Sequence, residues 1–213
     1  MRSSMLNLPI NISLTLSESK SAFLSAHLLP SGKPYTSLIV AAAIFQPNAA
    51  THKILLLKRS PAEKLFSHHW EIPGGKVDDT DKTIWDALKR EVNEETGLAF
   101  KESAITYGER GFEWAIGADG KDETLGDDIK DESKMALELN FIVESEELPT
   151  EVKLDPEEHL EHLWADEKDV MEMKMTPEMR GVVENAFAIL KLRKRFAWAS
   201  VISELELLER EGK

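Results

Sequence analysis

Glu91, Glu94 and Glu95 stand at positions i, i+3 and i+4, a spacing that on a helix stacks three carboxylates along one face. Like charges that close repel, so the helix gains nothing from them unless a cation or base chemistry uses the site. A set of oxygen ligands suits a hard cation such as Mg²⁺ or Mn²⁺. A cation held there can neutralise a diphosphate and lower the pKa of an attacking water, whose proton a nearby carboxylate can accept. Just upstream, Trp70-Glu71-Ile72-Pro73-Gly74-Gly75 reads as a short strand entering a tight loop. Its paired glycines let backbone approach a metal or phosphate closely.

These groups need a helix and strands to hold them. Thr80 or Asp81 can cap the acidic helix. Ile84, Leu88 and Val92 form its apolar face, and Gly97 suits its left-handed end. Residues 37–45 and 53–59 are short apolar runs, read as buried strands. Lys58 and Arg59 at the end of the second, with Glu71 beyond, are candidate substrate-binding residues, a plain surface charge being the competing reading for the two cations. Further strands are expected at 104–110, 112–116 and 135–144. Phe112 and Trp114 could stack on a substrate ring, although core packing is the more usual fate. Residues 117–134 are acidic with almost no apolar anchor, which reads as a solvated loop. The competing reading is a lid, or a metal contact from Asp127 or Asp128. Amphipathic helices are expected at 177–192 and 196–208, and a short helix at 17–29.

Composition narrows the function classes. The 213 residues suit one domain with extensions, read as 1–35, a central 36–192 and 193–213, and 42% hydrophobic content is ample for a core. There is no cysteine, which excludes disulfides, thiolate metal sites and a cysteine nucleophile. A net charge of −13 argues against a polymeric nucleic-acid partner. No signal peptide or membrane span is visible, so a cytoplasmic location is expected. The stripe of Trp198, Ile202, Leu205 and Leu208 is compatible with a monomer or a homodimer.

Residues 74–98, GGKVDDTDKTIWDALKREVNEETGL, resemble the Nudix box, G-x5-E-x7-R-E-U-x-E-E-x-G-U with U a bulky aliphatic. The half from Arg90 to Leu98 matches at every specified position. In the first half Asp81 stands where the family has Glu, and eight residues rather than seven separate it from Arg90. That departure leaves open whether Asp81 reaches Arg90 in the family's salt bridge. The resemblance is strong over about 37–100 and extends by layout to about 190.

It implies an α/β (α+β) fold, a mixed sheet sandwiched between helices. It further implies metal-dependent hydrolysis of a diphosphate bond in a nucleoside diphosphate linked to another moiety. By position, Glu91 matches a metal ligand and proton acceptor, Glu94 and Glu95 the main metal ligands, and the Gly74 carbonyl a further ligand. Arg90 would orient the glutamates. Glu158-His159 resembles a downstream Glu-His of the family, with Glu158 a metal ligand or base and His159 structural. The partner implied is a small-molecule diphosphate. Two alternatives stand beside it: a non-nucleotide, isoprenyl diphosphate with the C-terminal helices lining a greasy pocket, and a catalytically silent binding module.

Overall fold

The computed structural model describes residues 8–47, 49, 51–63, 65–115, 135–148 and 151–211, with side chains from 9 to 195 within those ranges except 114 and 115. One sheet orders β1 (Leu8–Pro9), β6 (Ile105–Ala115), β7 (Met135–Val143), β2 (Ser37–Ile44) and β5 (Gly74–Lys76). A smaller one orders β4 (Trp70–Glu71), β3 (Ile54–Arg59) and β8 (His159–Ala165). β2 and β7 run parallel, and the remaining pairs are antiparallel.

The apolar run of β2 is buried on both faces. Leu38, Val40, Ala42 and Ile44 enter one core, Ala41 and Ala43 the other, as the two-residue period of a strand requires. Against the first face lies α3 (Ile84–Thr96), joined by Leu16 of α1 (Ile12–Ser17) and Phe23 of α2 (Lys20–Ala26). Against the second lie α4 (Glu167–Glu172) through Val170 and α5 (Pro177–Glu211) through Val182, Val183, Phe187 and Leu190. The fold is α+β, a mixed sheet between helices, as expected. Burying Ile84, Leu88 and Val92 of α3 contributes roughly 1.5–3 kcal/mol each. Repulsion between its glutamates costs only tenths of a kcal/mol per pair, so packing decides where the acidic helix sits.

Several expected boundaries shift. The helix read at 17–29 is two short helices broken at Glu18, because Asn11 and Ser19 each cap a new start. Leu16 and Phe23 are fully buried, and Glu18 O accepts from Ile84 N at 2.8 Å, so this segment is tied to α3. The strands read at 104–110 and 112–116 are one, β6, whose register shifts between Arg110 and Glu113 at a bulge. The helices read at 177–192 and 196–208 are one, α5, uninterrupted by proline after its first residue. Trp198 and its stripe lie outside the described side chains, and residues 117–134 outside the described residues. Among the described residues, no helix is long and apolar enough to cross a membrane.

Candidate active site

Thr83 caps α3, its hydroxyl accepting from Asp86 N at 3.1 Å, rather than Thr80 or Asp81. The extra residue of the box is absorbed upstream in a turn, where Asp81 N donates to Asp78 O and Asp78 N donates to Asp81 Oδ2. That turn brings Asp81 to Arg90: Nε donates to Oδ1 at 3.1 Å and the guanidinium to Oδ2 at 2.9 Å. The shortened acid therefore does pair with the arginine, in a two-point contact. Arg90 also reaches Glu91 (2.9 Å), Glu94 (3.0 Å) and the Lys76 carbonyl (3.0 Å). The hydrogen bonds from Arg90 hold the Asp81 carboxyl below its ordinary value.

The carboxylates facing the glycine loop are less well matched. Glu95, 5% exposed, accepts one hydrogen bond, from Gly74 N at 2.8 Å. Burial, then the charge of Glu71, pushes it well above the ordinary range. Burial likewise raises Glu91 to about 7, against the pull of Arg90. Both glycines of the loop are required by close approach. A Cβ at Gly75 would lie 2.5 Å from Glu91 Oε2, and one at Gly74 would lie 2.3 Å from Val40 O.

Across the loop, Glu158 and the buried His159 meet Glu95, each of the three presenting one ligand atom within 4.8 Å of the others. Glu158 is exposed, yet burial of its carboxyl raises its pKa, with Asp155 and Glu63 adding. His159 Nε2 lies 3.1 Å from Glu71 Oε1, a geometry for Nε2–H donation that leaves Nδ1 as an acceptor. Nδ1 has no hydrogen-bond partner among the described residues. Glu91, Glu95 and Glu158 are all held above their ordinary pKa, Glu95 and Glu158 without an ion pair among the described residues and Glu91 with only a share of Arg90. Their oxygen-rich donor set, with one imidazole nitrogen, fits a divalent cation.

A cavity of about 270 Å³ is lined in part by Gly74 and Gly75. Arg59 stands at its wall, its guanidinium 2.8 Å from Glu71 and 2.5 Å from Glu63. Burial works against its charge, but those carboxylates hold it above its ordinary value. Phe66, His69, Trp70 and Phe112 supply aromatic surface, Met179 of α5 an apolar floor, and Glu113 and Glu138 carboxyl groups. Phe66 sits at φ 53° and His68 at φ 62°, left-handed conformations unusual for such side chains.

The structure thus brings Glu91, Glu95, Gly74, Glu71, Arg59 and Glu158 to one place. Glu94, its side chain 58% exposed, stays at the edge with Arg90. Lys58 is not at the cavity. It follows the two-residue alternation of β3 to the face opposite Arg59, pairing with Glu161 and lying 5.6 Å above the Trp70 ring. Phe112 lines the cavity and is buried, while the Trp114 side chain lies outside those described. Sequence reasoning missed His159 as a cluster member, and missed Glu113 and Glu138. A glutamate inside the apolar run MALELNFIV was the signal for Glu138.

A family profile described as NUDIX domain matches residues 37–186. The NUDIX domain of NrtR from Shewanella oneidensis, complexed with ADP ribose, superposes with a TM-score of 0.53 at 17% identity, over 81% of this chain and 99% of that one. A MutT protein from Methanosarcina mazei Go1 gives 0.52 at 23% identity, over 73% and 95%. A MutT/nudix family protein from Enterococcus faecalis gives 0.51 at 17%, over 83% and 70%. At these identities the likeness is one of fold. No curated protein matches in sequence.

Proposed function

Because the chain belongs to the NUDIX domain family and is a pyrophosphohydrolase of that type, we propose that it is a divalent-cation-dependent, cytoplasmic enzyme cleaving the diphosphate bond of a small organic diphosphate. The observation that carries this is the under-compensated carboxylate cluster of Glu91, Glu95 and Glu158 beside the glycine loop. Glu91, Glu95, Glu158 and the Gly74 carbonyl would hold Mg²⁺ or Mn²⁺, with Glu94 available at the rim. The bound cation supplies charge neutralisation of the diphosphate and a more acidic water.

The chain's own residues do the rest. Gly74 N–H fixes the Glu95 carboxylate, and Arg90 fixes Glu91 while Asp81 fixes Arg90. Glu91, its pKa raised to about 7, accepts the proton of the attacking water. Arg59, held by Glu71 and Glu63, meets the phosphate at the cavity mouth. The organic moiety enters the cavity lined in part by Gly74 and Gly75.

The test is phosphate release, after coupling to a phosphatase, from nucleoside triphosphates, nucleotide sugars, dinucleotides and prenyl diphosphates. It is run with Mg²⁺, Mn²⁺ or chelator, beside Glu95→Gln. Turnover that needs the metal and is lost in the variant is the expected result. A folded parent that binds Mg²⁺ yet releases nothing from any substrate would leave a binding module as the better reading.

A further inference from the structure

Glu138 has no role in the cation cluster and no evident one in folding. It sits inside β7, where the neighbouring residues Ala136, Leu137 and Leu139 are fully buried. The side chain is 4% exposed; the Asn140 amide nearby pulls its pKa down in part, but among the described residues Oε1 has no hydrogen-bond partner. Of the two cations lining the same cavity, Arg59 is taken by Glu71 and Glu63, and Lys76 makes no hydrogen bond to Glu138 among the described residues. A buried carboxyl oxygen without a donor is a standing cost to the fold. Glu138 nonetheless lines the cavity, beside Ile39, its neighbour in register on β2, and Phe112.

The missing donor can come from whatever fills the cavity. A phosphate is a poor fit, since its charge would oppose Glu113 and it has no ring face to lie against the aromatic wall. A hydrocarbon tail has nothing to donate and would seal the carboxyl in unpaired. A planar ring with an N–H on its edge satisfies the oxygen, and the aromatic wall of Phe66, His69 and Phe112 suits its faces.

We propose that Glu138 is a specificity-determining residue that reads the N–H-bearing edge of a nitrogen heterocycle carried by the substrate, favouring nucleotides over prenyl diphosphates. This rests on the pyrophosphohydrolase reading of the site. Burial and the charge of Glu71 raise the Glu138 carboxyl to about 8. At neutral pH it therefore offers a donor as well as an acceptor, the complement of an amide-like or amidine-like edge.

The experiment compares parent, Glu138→Leu and Glu138→Gln as full chains with Mg²⁺. It reads kcat and KM on the four common nucleoside triphosphates and on geranyl diphosphate. Calorimetric binding of α,β-methylene nucleotide analogues gives a readout independent of turnover. In Glu138→Leu the ratio of kcat/KM for nucleotides over geranyl diphosphate should fall about tenfold or more, carried by KM. Glu138→Gln should reorder the preference among bases, and it serves alone if the leucine variant does not fold. A parent preferring geranyl diphosphate, or ratios and base order unmoved in the variants, overturns the proposal and leaves the hydrolase standing. Absent turnover with analogue binding that weakens in Glu138→Leu would instead defeat the hydrolase and keep the role of Glu138. Neither turnover nor binding overturns both.

Discussion

Around Arg90, one guanidinium gathers Asp81, Glu91, Glu94 and a backbone carbonyl on the partly exposed flank of α3. One helical position further, Glu95 is buried with a single backbone donor, facing Glu158 and a half-partnered His159. Glu94 and Glu95 are neighbours in sequence with the same chemistry, and they live under opposite rules. Where charge is balanced inside the chain it serves as framework, because every partner is already present. Where it is left short inside a concave, buried place, the fold carries a deficit that a cation or substrate removes on binding. The two clusters therefore respond differently to mutation, metal and pH.

The largest expected effect is at the deficient end. Glu95→Gln keeps an oxygen to accept from Gly74 N–H but removes the charge a cation needs. Turnover should fall by at least about 100-fold, with a melting temperature equal to or above that of the parent. Activity and stability moving down together would mean that Glu95 is framework after all, and the contrast with Glu94 would collapse.

Arg90→Ala tests the balanced end. It strips partners from Asp81, Glu91 and Glu94 at once, and a stability loss of about 2 kcal/mol is expected, read from urea unfolding. Glu94→Gln removes one exposed partner of that network and should cost no more than about 0.5 kcal/mol. If Glu94→Gln cost as much as Arg90→Ala, the exposed glutamate would hold more of the frame than its 58% exposure allows.

Much of this contrast could be read from the chain, and its limits follow from distance along it. β2 and α3 were legible because each is long and repeats its own period, two for the strand and near four for Ile84, Leu88 and Val92. The Arg90-to-Leu98 half put Glu91, Glu94 and Glu95 on one helix, α3. What could not be read was which would be buried, since that depends on β5, only three residues long, pairing with β2. The meeting of Glu95 with Glu158 and His159 joins residues more than sixty positions apart; the resemblance to a downstream Glu-His pointed to Glu158, but no periodicity announces the contact. The Asp81–Arg90 pair was obscured for the opposite reason, a one-residue insertion absorbed by the hydrogen-bonded turn of Asp78 and Asp81 upstream of the helix.

Acidity and metal together sharpen the comparison further. Glu91 is raised to about 7 and Glu138 to about 8, while in the unfolded chain both return to the ordinary carboxylate range. Between those values the unfolded chain has released protons that the folded one retains. Stability therefore falls as pH rises from about 4.5 through each raised pKa, by at most about 1.4 kcal/mol per unit per group, and levels off above it. On the proposed reading Mg²⁺ would take the place of the proton at Glu91 but not at Glu138. Melting curves from about pH 5 to about pH 9 should flatten in part with Mg²⁺, and flatten further in Glu138→Gln. A slope that Mg²⁺ leaves untouched would remove Glu91 from the cation site.

The smallest effect separates two adjacent cations on β3. Arg59 faces the cavity and is held by two carboxylates, whereas Lys58 points the other way, to Glu161 and the Trp70 ring. An exposed ion pair of that kind contributes at most about 1 kcal/mol. Lys58→Ala should leave kcat/KM within about twofold of the parent and stability within about 0.5 kcal/mol. Arg59→Ala should raise KM about tenfold or more through loss of a charge-assisted phosphate contact. Equal losses in the two variants would mean that the phosphate path crosses the face of β3 on which Lys58 and Glu161 meet. The cavity lined in part by Gly74 and Gly75 would then be the wrong place to look for the organic half of the substrate.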